Sequence, residues 1–189
     1  MTRYAGTRAV VIGQDTGIGL AIAKRLVEGG AEVVLAADGD AERTRTELGS
    51  AARVVAADAL VAGGGPADHG GAAGLWPGDQ VEFVFADAVA TARPLLPYVA
   101  DGGAIVLTAA SPAPVPVGAL AAELAARGIR VNAVDPGCID EPGDDGPPLP
   151  PLGRLGSAEE VARAALFLAT EATFTTGARL AVDGGLGRP

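Results

Sequence analysis

Cysteine, histidine and lysine each occur once, as Cys138, His69 and Lys24, and only 4% of the chain is aromatic. A lone cysteine excludes an internal disulfide and a cysteine metal centre, and a lone histidine excludes a His-rich one, so no metal site is expected. Basic runs are absent as well. The net charge is −9 and the pI is near 4.5, which disfavours a nucleic-acid partner, because phosphates are met by clustered Lys and Arg. No run approaches the roughly 18 apolar residues of a membrane span. No apolar segment ahead of a cleavage-like site suggests a signal peptide. The expectation is a cytoplasmic chain without a membrane partner.

What is present is aliphatic. With 49% hydrophobic residues and few aromatics, the core must be built from Ala, Val, Leu and Ile, which suits helices packed on a buried parallel sheet. A length of 189 residues fits one domain, expected to span 1–189. Runs rich in Val, Ile and Leu predict strands at 9–13, 32–37, 53–57, 81–86, 104–108, 130–134 and 179–182. Helix-like segments alternate with them. Residues 17–28 carry Ile18, Ile22 and Leu26 on one stripe and stop at Gly29-Gly30. Residues 119–127 stop at Gly128 in the same way, and Ser157 with Glu160 forms a capping-box start for a helix over 158–170. The alternation predicts a single doubly wound, Rossmann-type α/β fold, a parallel sheet with helices on both faces. Residues 61–74, rich in Gly, and 141–152, with five Pro and two Asp, read as loops.

Gly13-Gln14-Asp15-Thr16-Gly17-Ile18-Gly19 lies between the first strand and the first helix. Glycines suit a tight reversal whose backbone comes close to a pyrophosphate. The helix that follows aims its free N–H groups and positive dipole end at that phosphate. Strand, turn, helix and second strand fit within about thirty residues, as a dinucleotide-binding unit requires. A plain Gly-rich connection is the other reading. Asp38 ends the second strand, where a carboxylate accepts both adenosine ribose hydroxyls and repels a 2′-phosphate, favouring NAD over NADP. Its alternative is a solvated loop acid beside Asp40. Asp58, past the third strand, either bonds the adenine amino group or simply ends the strand.

These motifs resemble the short-chain dehydrogenase/reductase family. The turn at 13–19 matches that family's Gly-x-x-x-Gly-x-Gly. Arg127-Gly128-Ile129-Arg130-Val131-Asn132-Ala133-Val134-Asp135-Pro136-Gly137 looks like its sixth-strand signature. Arg154-Leu155-Gly156, Glu159-Glu160-Val161-Ala162 and the stretch from Thr176-Gly177 to Val182-Asp183-Gly184-Gly185 resemble its C-terminal third. The resemblance implies that Pro136, Gly137 and the backbone of Ile139 border a nicotinamide.

The departures bear on chemistry. In the family a Tyr-x-x-x-Lys pair transfers the proton and holds the nicotinamide ribose. Here the tyrosines are Tyr4 and Tyr98, and four residues on stand Arg8 and Gly102. The pair is absent. Ala110 stands where the family has its catalytic Ser, with Ser111 one position late, and too few residues precede the helix at 119 to hold the Tyr/Lys segment. The one asparagine, Asn132, is in the sixth strand, so the active-site Asn is missing too. Residues 81–89 read as a fourth strand entering a degraded Asn-Asn-Ala-Gly; the alternative alignment makes them the next helix. Glu141 replaces an expected Thr and faces the pyrophosphate unfavourably.

Ser111, Asp87, Cys138 and His69 are the remaining polar candidates, and none has a partner that makes it catalytic. Three functions fit: a catalytically degenerate NAD-binding member acting as an auxiliary or regulatory protein, an enzyme using the cleft for a non-redox reaction, and an NAD(P)-dependent oxidoreductase with a different proton donor. The partners expected are a small-molecule ligand and a second copy of the chain through the C-terminal strand.

Overall fold

The computed structural model describes residues 3–13, 17–36, 41–57, 80–108, 117–139 and 149–187. Seven strands, β1 (Arg8–Ile12), β2 (Glu32–Ala36), β3 (Ala52–Val55), β4 (Val81–Ala86), β5 (Val99–Leu107), β6 (Arg130–Pro136) and β7 (Arg179–Val182), form one sheet. Their order is β3-β2-β1-β4-β5-β6-β7, and every neighbouring pair is parallel. The helices are α1 (Ile18–Glu28), α2 (Ala41–Leu48), α3 (Val89–Ala92), α4 (Val117–Leu124) and α5 (Ala158–Thr170). The fold is the doubly wound α/β arrangement the sequence predicts. Residues 81–86 are a strand, not the start of a helix, and sit between β1 and β5. Helix α4 begins at Val117 and tightens into a 3₁₀ turn over Ala125–Arg127. The segment 61–74 lies outside the described residues, as does most of 141–152.

Two apolar layers enclose the sheet. One joins Val11, Val33, Leu35, Phe85 and Val106 to Ile22 and Leu26 of α1 and to Val161, Ala165 and Leu166 of α5. The other joins Val10, Val34, Val84 and Ile105 to Leu95, and to Leu120 and Leu124 of α4. A strand with both faces covered is continuously apolar, which is why these runs are so plain in the sequence. The connections β4→β5 and β5→β6 cross on the α3–α4 face, whereas β6→β7 advances in the same direction and crosses through α5 on the other. That last crossover has the reverse hand, against the strong right-handed preference. Its reward is the packing of α5 on α1.

Two side chains of β6 hold this crossover in place. Arg130 reaches the C-terminus of α5, donating to the carbonyls of Leu168 (2.6 Å), Ala169 and Ala172 (3.0 Å). It thereby caps carbonyls that the helix cannot satisfy itself, and no basic residue of α5's own last turn does so. Partial burial pushes its guanidinium pKa down from the ordinary value. Asn132 is fully buried. Its amide donates to Thr175 O (2.9 Å) and its oxygen accepts from Ala178 N (3.1 Å), pinning the turn that leads into β7.

Candidate functional site

Chain direction across the sheet reverses at β1, whose neighbours are β2 and β4. In open α/β sheets the crevice beyond the carboxyl ends of the strands at that point takes the ligand. Gly13 follows β1 directly, and its N–H donates to Ala36 O at 3.2 Å, tying the start of the turn to the end of β2. Gly17 is the N-cap of α1, with φ 65° and ψ −128°. This left-handed φ favours glycine, so the residue meets a conformational demand. The predicted helix start moves by one residue, because Gly17 is outside the helical turn.

At the N-terminus of α1 the first backbone bond runs from Ala21 N to Gly17 O (3.0 Å); the N-cap Gly17 offers no side chain, and the first turn holds no acid. The N–H groups of Ile18, Gly19 and Leu20 therefore lack helical acceptors and fit a pyrophosphate, with the dipole adding attraction. Gln14, Asp15, Thr16, Asp38 and Asp58 lie outside the described residues, as do Asp40, His69, Ser111 and Glu141.

At the far side of the sheet Pro136 closes β6 and pairs with Val182. Gly137 has a packing reason of its own. A Cβ there would stand 2.6 Å from Asp183 Cα, and its N–H donates to Val182 O (3.0 Å). Ile139 bridges Gly156, whose N–H donates to Cys138 O (2.9 Å). Cys138 borders a cleft of about 480 Å³ with Leu152, Arg154, Glu160, Val182 and Asp183. Its charged pair is already matched. Arg154 grips both oxygens of Glu160 at 2.7 and 2.9 Å, and the Ser157 N–H donates to Glu160 (3.0 Å) in the expected capping box.

The Arg154 bond, followed by that backbone N–H, lowers the Glu160 pKa from 4.5 to about 2. A carboxylate with a depressed folded-state pKa adds stability above its ordinary value and loses it as pH falls through the folded one. Glu160→Gln is therefore expected to melt below the parent at pH 6, with the gap closing between pH 4.5 and about 2. Thermal unfolding followed by circular dichroism at both ends of that window checks this; a gap unchanged by acid would exclude it.

Nothing in the described structure supplies a proton donor at the crevice. Lys24 is spent on Glu47 of α2 at 2.5 Å. Tyr4 packs over Gly29 beyond the C-terminus of α1. Tyr98 ends a 3₁₀ stretch that enters β5 at its amino end. Asp87 is at the carboxyl end of β4, but its Oδ1 accepts from Thr91 Oγ1 (2.6 Å) at the start of α3. The sequence singled out Asp87 among its polar candidates, but not Thr91 as its partner. The larger cleft, about 540 Å³, opens at the opposite pole beside Thr7, Gly128 and Arg130. Its guanidiniums are committed, Arg130 to α5 and Arg3 to Glu171. Among the described residues no cluster of His, Cys, Asp or Glu could hold a metal, and no helix is long and apolar enough to cross a membrane.

Comparison with known proteins adds to this geometry. A family model described as "Enoyl-(Acyl carrier protein) reductase" matches residues 116–187. The chain is similar to Oxidoreductase asL5 of Sarocladium schorii, 32% identical and covering 97% of both chains. That alignment extends over 243 positions against the 189 residues present here, so the relative carries segments this chain lacks. It is also similar to the 3-oxoacyl-[acyl-carrier-protein] reductase FabG of Thermotoga maritima, 47% identical over 35% of this chain and 31% of the relative. The chain thus spans about a third of the length of several curated relatives it matches. Among solved structures, a short chain dehydrogenase from Burkholderia cenocepacia J2315 in complex with NADP superposes with a TM-score of 0.77. It is 24% identical and covers 97% of this chain and 98% of its own, which shows the shared fold.

Proposed function

The chain belongs to the short-chain dehydrogenase/reductase family, a family of oxidoreductases, and we propose that it is an NAD-binding member without the family's hydride-transfer chemistry, serving an auxiliary or regulatory role. The observation that carries this reading is the whole-chain inventory of one lysine and two tyrosines. None of the three is placed to act at the carboxyl edge of the sheet. Fold and chemistry are separable, and here the binding half of the machinery is retained while the reacting half is missing.

The N–H groups of Ile18, Gly19 and Leu20 would hold the pyrophosphate, with Gly17 letting the backbone approach. Asp38, two residues beyond β2 in the sequence, would take the adenosine ribose hydroxyls. Nicotinamide, where bound, supplies a hydride; the residues described here offer no group to move the accompanying proton. The cleft beside Cys138 favours a second reading, an enzyme that uses that space for a non-redox reaction or for oxidoreduction with another donor.

Calorimetric titration tests the first reading. NADH is expected to bind more tightly than NADPH by about tenfold, roughly 1.4 kcal/mol, through repulsion between Asp38 and the 2′-phosphate. Gly17→Val should abolish binding, because a branched side chain both resists the left-handed φ and blocks backbone approach. Equal affinities for the two nucleotides would remove Asp38 from the argument.

A further inference from the structure

Independently of any nucleotide, we propose that the outer face of α5 is a self-association surface, on which a second copy of this chain docks across a two-fold axis. The inward face of α5 is taken by Val161, Ala162, Ala165, Leu166, Leu168 and Ala169, all buried. Its outward face carries Arg163, Phe167 and Glu171, spaced four residues apart and all exposed. Glu171 is the C-cap, and its N–H still donates to Phe167 O (2.9 Å), which keeps it on the same stripe. Phe167 is 46% exposed and borders a cleft of about 400 Å³ with Tyr4, Gly29 and Leu166. The C-terminal strand, where association was expected, is only four residues long, and short edge strands resist pairing.

Charge order selects the occupant. Along the stripe it runs cation, aromatic ring, carboxylate. A two-fold axis at Phe167 lays a second α5 antiparallel and reverses that order. Arg163 then faces Glu171 of the partner subunit, Glu171 faces the partner's Arg163, and the two Phe167 rings meet at the axis. Four residues of helix rise about 6 Å, so both charged pairs stand equally far from the axis, and such a contact is isologous. Arg163 has no ion pair with another described residue. Glu171 also holds Arg3, yet 53% of its side chain stays exposed. A net charge of −9 makes two copies repel at a distance. An interface between them therefore needs cations of its own, and this stripe supplies one from each copy. The paired rings give the contact an apolar centre.

Sedimentation velocity of the full chain over about 1–500 µM tests this, with a dimer Kd expected near ~10 µM for so small an interface. Arg163→Glu sets carboxylate against carboxylate, and Glu171→Arg sets guanidinium against guanidinium, so each variant alone is expected to associate at least about tenfold more weakly. An equimolar mixture of the two variants restores both opposite-charge pairs and is expected to recover the dimer. Phe167→Asp should abolish it. Circular dichroism verifies that the variants fold; should Glu171→Arg unfold through loss of its Arg3 partner, Arg163→Glu and Phe167→Asp decide by themselves. A parent that stays monomeric over the whole range, a dimer indifferent to Arg163→Glu, or a mixture of folded variants that stays monomeric overturns the inference. Each of these results leaves the nucleotide reading where calorimetry puts it.

Discussion

Purified chain mixed with aldehydes, ketones or secondary alcohols is expected to give no change at the reduced-nicotinamide absorbance with either NADH or NADPH. The warrant begins with residue counts. Carbonyl reduction of the Tyr/Lys type needs a phenol at the forming alkoxide and an ammonium close enough to acidify it. The chain has one ammonium side chain, Lys24, and it is bonded to Glu47 between α1 and α2. Tyr4 is buried against Gly29, and Tyr98 enters β5 from the wrong end. General acid–base assistance is worth roughly 10²–10⁴-fold in rate. Loss of the cation that would hold the nicotinamide ribose adds a positioning cost on top of it. Turnover on the order of 1 s⁻¹, within the ordinary enzyme range, would show that another donor has taken over. Asp87→Ala and Ser111→Ala would then identify it: Asp87 follows β4 directly, with a carboxylate that accepts from Thr91, and Ser111 follows β5 in the sequence. Absence of turnover together with NADH binding is the outcome that separates a retained nucleotide site from retained chemistry.

Legibility of the molecule from its sequence follows the range of the interactions. The five inner strands could be read because burial on both faces leaves a largely continuous aliphatic run, whereas the edge strands β3 and β7, mostly part-exposed or exposed, were read from shorter apolar runs. The start of β5 could not be read. Asp101-Gly102-Gly103 has the composition of a turn, yet Gly102 at φ 81° carries the chain through it. Gly103 is so close to Glu82 O, 2.8 Å from an added Cβ, that the strand continues with a shifted register against β4. Helix α2 was missed because its sequence is polar. The helix is held by the burial of Thr44 and of Leu48, which joins the core, with ion pairs on its surface, Arg43 with Glu47 and Arg45 with Glu42, and one from Lys24 across on α1. In the site, Gly17 was legible because its positive φ demands glycine, whereas Gly13 has no positive φ and open space where a Cβ would stand, so its place in the motif has no local backbone cause here. Gly137 entered the sequence reading only through the family resemblance, as a residue bordering a nicotinamide, while its visible constraint, contact with Asp183, depends on a residue more than forty positions later and has no local signature.

Asn132→Ala is expected to cost about 2–4 kcal/mol of folding stability, a large share of what a domain of this size possesses. The residue looked like one letter of a strand signature, but its side chain is fully buried and serves two backbone groups at once, Thr175 O and Ala178 N. Truncation leaves both without a partner away from water, and an unmet buried donor or acceptor costs about 1–3 kcal/mol. A small void where the amide was adds to this. Asn132→Asp should be no milder. A carboxylate keeps the bond from Ala178 but cannot donate to Thr175, and it places a charge in an apolar layer. The damage should concentrate on the reversed-hand crossover, because the turn at 175–178 delivers β7 to β6. β7 in turn brings Asp183 against Gly137. A matched control is Arg179→Gln, which removes a part-exposed ion pair with Asp135 and should cost no more than about 1 kcal/mol. Urea unfolding provides the comparison through the midpoint at unchanged slope. A loss for Asn132→Ala no greater than that of the control would mean that the turn is held by something other than this amide.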